Sequence, residues 1–122
     1  MKKIEAILLE EQVQAVKDAL ESAGFVGMTI YPVKGRGAEG GIELDWRATT
    51  YTVDFLPKVM VMMVVEDVDC QRAVDLITKT CQSPEFHPDG AQEYFQSWGK
   101  IIVSPVEQMV SIRNASSILF KR

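Results

Sequence analysis

"FLPKVMVMMVVE", residues 55–66, decides the fold. Every position from Val59 to Val65 is apolar. Side chains on a strand alternate between two faces, so a strand with this sequence needs cover on both of them. Valine is at home on a pleated sheet, and Pro57, which has no N–H to give a ladder, stands at the entry. The segment reads as the strongest strand of the chain, and its neighbours are read from it.

Upstream, "KKIEAILL" is short and rich in Ile and Leu, a strand. "LEEQVQAVKDALESAG" then changes period: Val13, Val16, Leu20 and Ala23 recur every three or four residues, and Gly24 stands where a helix end favours a left-handed residue. The spacing predicts a helix from about Glu10 to Ala23. "FVGMTIYPVKG" is a second strand, with Pro32 near its end or on an edge. Downstream, "EDVDCQRAVDLITKTCQ" restores the helical period through Cys70, Ala73, Val74 and Ile77, with Asp67 or Asp69 as N-cap. "GKIIVSPVEQMVSIR" is a last extended segment, bent or bulged at Ser104-Pro105.

The order β-α-β-β-α-β is the α+β, ferredoxin-like arrangement, in which two helices cover one face of an antiparallel sheet. The central strand needs burial on both faces, and the helices hide only one. A homo-oligomer that covers the other face follows.

A chain of 122 residues, 47% apolar, is long enough for one compact domain, and residues 1–122 are read as one. The net charge is −4 and the 13 basic residues are scattered, which argues against nucleic acid as a partner. Acidic residues interrupt the apolar start after a few positions, and no stretch reaches the roughly 18 apolar residues of a membrane span. Cys70 and Cys81 lie eleven apart on one helix, about 16 Å at 1.5 Å per residue. That exceeds the roughly 7 Å Cα reach of a disulfide, so two reduced thiols and a cytoplasmic location are expected.

Two segments exceed a minimal unit. Residues from about 36 to 55 show neither period, and a loop of some twenty residues is usually functional or disordered. Within "KGRGAEGG" (34–41), Gly35, Gly37 and Gly40 satisfy G-x-G-x-x-G, but no helix follows to offer its N-terminus to a pyrophosphate, so this is not a dinucleotide fingerprint. The second segment, "SPEFHPDGAQEYFQSW" (83–98), reads as a loop with one short helix at "DGAQEYFQSW". His87, the single histidine, sits there among Glu85, Asp89 and Glu93, too weak a set for a metal site. Met60, Met62 and Met63 are read as core. No nucleophile stands beside a histidine, so no catalysis is expected.

With these residues in place, "GFVGMTIYPVKGRG", the long loop and "YTVDFLPKVMV" resemble the PII signal-transduction proteins, trimeric regulators of nitrogen metabolism. The likeness runs from the first residue to about Gln82 and resumes at "GKIIVSPVEQMVSIR". It implies a homotrimer with adenine nucleotide, ATP or ADP, in the three clefts between subunits. It also implies a T-loop, about residues 36–55, that docks on a membrane transporter or metabolic enzyme without membrane insertion.

Residue by residue, Gly27, Met28 and Thr29 match the segment that faces the adenine, and Gly35 and Gly37 match glycines near the ribose and phosphates. Glycine suits such places because a backbone N–H can approach an anion without a Cβ in the way. Lys58 matches the lysine that reaches the terminal phosphate or 2-oxoglutarate, and Lys100 and Arg113 match further cations around the phosphates. In the T-loop, Arg47 and Tyr51 match, and Trp46 replaces a frequent loop-tip tyrosine; Trp and Arg are favoured anchors at interfaces. Some members are modified at hydroxyls matching Thr49 and Tyr51.

The chain also departs from the family. The family's short phosphate-cradling B-loop, T-G-x-x-G-D-G-K, is replaced by the longer 83–98 segment, with only Gly99-Lys100 aligned. Ser111 stands where an arginine is usual. Glu39 replaces a glutamine that helps hold magnesium and 2-oxoglutarate, and a carboxylate there repels the nucleotide phosphates and 2-oxoglutarate unless a divalent ion lies between, which counts against 2-oxoglutarate sensing. The alternative expectation is a trimeric protein-interaction module that no longer binds nucleotide.

Overall fold

The computed structural model describes residues 1–36, 42–47, 49–86, 99–113 and 115–117. Strand β1 (Lys2–Leu8) leads into helix α1 (Glu10–Ser22), then strands β2 (Thr29–Gly35), β3 (Ile42–Trp46), β4 (Thr49–Val53) and β5 (Leu56–Val65). Helix α2 (Asp67–Cys81), strand β6 (Lys100–Pro105) and two short strands, β7 (Val110–Ser111) and β8 (Ser116–Ser117), complete the order. The main sheet is antiparallel in the order β2-β5-β1-β6. The expected β-α-β-β-α-β unit is therefore present, with small hairpins β3–β4 and β7–β8 added to it.

The segment 55–66 explains the architecture. Val61, Met63 and Val65 are buried, together with Ile4, Ala6 and Leu8 of β1, and Val16, Leu20, Ala73 and Ile77 of the helices complete that core. On the opposite face Met60, Met62 and Val64 are only half-buried. That face continues through Tyr31 beside Met60 and through Ile102 across from Glu5, and both side chains are exposed. The helices thus cover one side of the sheet and leave the second apolar side of β5 only partly covered within the protomer.

Helix α1 ends as Gly24 predicts. The N–H of Gly24 donates to the Glu21 carbonyl at 3.0 Å and that of Phe25 to the Leu20 carbonyl at 2.9 Å, with Gly24 at φ +95°. This pair of bonds is a Schellman motif, and Phe25 and Leu20 share the core, the apolar contact that accompanies it. The other helix face differs from the expectation. Gln12 rather than Val13 is buried with Val16 and Leu20, because its Oε1 accepts the Leu9 N–H at 2.9 Å and satisfies the start of the helix. At α2 the N-cap is Glu66, and Asp67 and Asp69 fall in the first turn instead. Asp67 pairs there with the Met1 ammonium at 2.9 Å; that hydrogen bond and charge hold its carboxyl below the ordinary range.

Two outer strands bound the sheet. Pro32 lies on β2, at an edge as expected, and Pro105 ends β6. The last extended segment is not one bulged strand: after Pro105 it leaves the sheet and re-forms as the β7–β8 hairpin. Cys70 and Cys81 both lie on α2, the first half-buried and the second buried.

Candidate functional site

The register of β2 on β5 distributes the expected binding residues between two ends of one strand pair. Thr29 faces Met62, Val33 faces Lys58, and Gly35 faces Leu56. Thr29 and Lys58 are therefore separated by about four residues of strand, roughly 13 Å. At the Lys58 end, Lys58 is 5% exposed and its Nζ has no hydrogen-bond partner among the described residues. Gly35 lies against it: a Cβ there would meet Lys58 Cγ at 3.5 Å, an ordinary contact. Nothing among the described residues thus requires glycine at 35.

Lys100 belongs to the same end. It opens β6 across from Ile7, whose other neighbour is Met60, so Lys58 and Lys100 share one face of the sheet. Two strand spacings sideways and two residues along put their backbones about 12 Å apart. Gly99, just before it, has φ +88°. Lys100 also borders an apolar groove of about 330 Å³ between α2 and β6, where burial pushes the Cys81 thiol above its ordinary pKa.

The other end is a groove of about 910 Å³, with Gly27, Met28 and Thr29 as one wall and Met62 and Met109 among its other residues. Met28, Met62, Met63 and Met109 give this lining soft, polarisable thioethers, beside the charged Glu66, Asp69 and Arg72. Gly27 has open space around a built Cβ and no left-handed φ, so the chain itself does not demand glycine there either.

Sequence reasoning passed over the residues that hold this wall. Arg72 Nη1 donates to the Ala23 carbonyl at 2.9 Å, its Nη2 lies 3.4 Å from Asp69 Oδ1, and its guanidinium stands 4.4 Å from the centre of the Phe25 ring. The available signal was Gly24: once it ends α1, the next residue packs back on the helix and the terminal carbonyls need donors.

Arg113 stands exposed in the β7–β8 turn, outside the four-stranded sheet that carries Lys58 and Lys100. Gly37 and Glu39 lie outside the described residues, as do His87 and the 87–98 part of the altered loop. Ser83–Phe86 is a turn, and Phe86 is buried, which a loop reading does not anticipate. Among the described residues no group of His, Cys, Asp or Glu is arranged to hold a metal ion.

The segment read as lacking either period contains the β3–β4 hairpin. Trp46 and Thr49 are its last pair, Arg47 sits in the connecting turn at φ 50°, and Tyr51 pairs with Leu44. Thr50 Oγ1 donates to Asp45 Oδ1 across the pair at 2.9 Å. Arg47 is thus presented at the tip of a folded hairpin, with Trp46 one residue before it.

Comparison with known proteins gives the family. A family profile described as "Nitrogen regulatory protein P-II" matches residues 1–116. Nitrogen regulatory protein P-II 2 of Methanothermobacter thermautotrophicus is 38% identical over 96% of this chain and 93% of its own length. P-II 1 of the same organism is 40% identical over 93% of the chain and 90% of its own length. The P-II protein of Microchaete diplosiphon is 42% identical over 93% and 92%. With the fold, the strand register and these relatives in agreement, the chain belongs to the nitrogen regulatory protein P-II family.

Proposed function

We propose that this P-II-type regulator works as a cytoplasmic homotrimer that senses an adenine nucleotide, ATP or ADP, in clefts between subunits. The observation that carries the reading is Lys58: a buried amino group without a partner among the described residues, with Lys100 on the same face of the sheet. Burying an unpaired donor costs about 1–3 kcal/mol, and more for a charged one. An anionic phosphate brought by a ligand would offset that cost with charge-assisted hydrogen bonds.

The division of the residues supports a shared cleft. The base-binding groove and the cationic end lie about 13 Å apart on one protomer, at opposite ends of a strand pair. Adjacent copies that cover the uncovered apolar face would bring the groove of one against the lysines of the next. Gly35 and Gly27 then have a reason to be glycine that the isolated chain lacks, since each leaves its backbone open to a ligand or a neighbour.

Ligand occupancy would act on the hairpin that follows β2, which carries Trp46, Arg47 and Tyr51, and the hairpin would bind or release a transporter or metabolic enzyme. Such a switch works only if the nucleotide prefers one hairpin state over the other. 2-Oxoglutarate is not part of this function, because Glu39 puts a carboxylate where the family's glutamine meets that dianion. The test is calorimetric titration with ATP, ADP and AMP, with and without Mg²⁺ and 2-oxoglutarate. Heat with ATP or ADP that disappears in Lys58→Ala supports the assignment. Absence of heat with every nucleotide overturns it in favour of a nucleotide-independent interaction module.

A further inference from the structure

After the Schellman turn that closes α1 at Phe25, three residues, Val26, Gly27 and Met28, lead to the start of β2, and they form part of the groove that the nucleotide reading assigns to the base. A bridge this short takes its shape from its two anchors. One is the β2–β5 ladder, where Thr29 is registered on Met62. The other is the Schellman end of α1, which fixes Gly24 and Phe25 on the Glu21 and Leu20 carbonyls.

We propose that Arg72 of α2 is the positioning residue of this lip, clamping its first anchor so that Gly27 and Met28 are held in place before a nucleotide arrives. The proposal rests on the nucleotide reading above.

The geometry is specific. The Schellman bonds use the Leu20 and Glu21 carbonyls; the Ala23 carbonyl receives Arg72 Nη1 at 2.9 Å. A cation at the C-terminal end of a helix also complements the partial negative charge there. The same guanidinium lies over the Phe25 ring at 4.4 Å, within cation–π range, so it grips both sides of Gly24. Asp69, one turn earlier on α2, holds Nη2 at 3.4 Å and aims the fork. A planar fork that caps, stacks and pairs at once is a task a lysine does not reproduce.

Pre-ordering the lip lowers the entropy lost when a base is bound, so the contribution belongs to the base and not to the phosphates. That separates a positioning role from a merely structural one. The full chain and its Arg72→Gln variant are titrated with ATP and with inorganic tripolyphosphate, and hydrogen exchange is followed at the amides of residues 25–29. The expected result is a loss of ATP affinity of about tenfold, the scale of one such hydrogen bond, with tripolyphosphate affinity unchanged within about twofold and faster exchange at 26–28. Phe25→Leu, which keeps an apolar side chain in the core but removes the ring, is expected to shift ATP binding in the same direction by less.

Equal losses for ATP and tripolyphosphate, or unchanged ATP affinity, overturn the proposal. If the unmodified chain binds neither ligand, the nucleotide reading has failed by itself. Exchange at 26–28 then decides the clamp alone: acceleration in Arg72→Gln supports it, and no change overturns it.

Discussion

A Cβ built on Gly99 would stand 2.7 Å from the carbonyl oxygen of Ile7, and Gly99 itself has φ +88°. Both the close approach and the left-handed backbone exclude a side chain. Gly99→Ala is therefore expected to cost about 2–4 kcal/mol in urea unfolding, the sum of backbone strain and displacement of β1. Gly27→Ala, with open space around its Cβ and no left-handed φ, should stay within about 0.5 kcal/mol. Comparable losses from both would contradict the geometry.

If the nucleotide reading is right, Lys58 is held in the fold for what it binds and not for what it stabilises. Replacing its buried, unpartnered amine by a thioether of similar length removes a desolvation cost. Lys58→Met is expected to leave the chain as stable as before or more stable by about 1 kcal/mol, while abolishing nucleotide binding. Denaturant unfolding paired with calorimetry reads both quantities on one sample.

Gln12 uses one half of its amide. Oε1 accepts the Leu9 N–H, and Nε2 is buried with no partner among the described residues. Gln12→Met gives up the capping bond and the unpaired donor together, so its effect should stay within about 1 kcal/mol. Gln12→Glu keeps the acceptor but introduces a buried carboxyl and should cost more than about 2 kcal/mol at pH 7, with partial recovery as acid neutralises it.

Burial raises the pKa of the Cys81 thiol above its ordinary value of 9.0. A group whose folded pKa is raised contributes stability that is complete below the unfolded pKa and is lost as pH climbs through the folded one. Stability should therefore decline from about pH 9 upward, and Cys81→Ala should remove that part of the decline. At pH 7.5, iodoacetamide should modify the half-buried Cys70 before Cys81 in the native protein and both at similar rates in urea, as mass spectrometry of the peptides would show.

Arg47 occupies the hairpin turn at φ 50°, a conformation that asparagine adopts more readily. Arg47→Asn is expected to slow amide exchange across β3–β4 by a few fold. The same change should weaken docking on a target, so order in the hairpin and affinity for the partner would move in opposite directions.

The main sheet and both helices were legible because periodicity reports burial directly: β5 is apolar on both parities, and α1 repeats at three and four up to Gly24. The β3–β4 hairpin escaped that reading for a physical reason. Its five-residue strands "IELDW" and "TTYTV" are too short to establish a period beside glycines and charges, and Arg47 in its turn carries none of the Asn-Gly chemistry that announces a hairpin. Gln12 was missed because hydrophobic period does not report a polar side chain whose oxygen caps the helix start from within the core. For the candidate site, the residues named from the sequence fall at two ends of one strand pair, a division that the sequence does not announce. That division comes from the antiparallel register of β2 on β5, and the role of Arg72 from a contact 49 residues apart.

The two outer strands of the sheet also bear on how copies of the chain meet. A foreign strand laid along β2 would find Pro32, which offers no N–H, and one laid along β6 would run out at Pro105. Runaway stacking of sheet edges into filaments is poorly served by such a molecule. The broad apolar face is a different kind of surface, exhausted once it has been covered, and association through it is self-limiting.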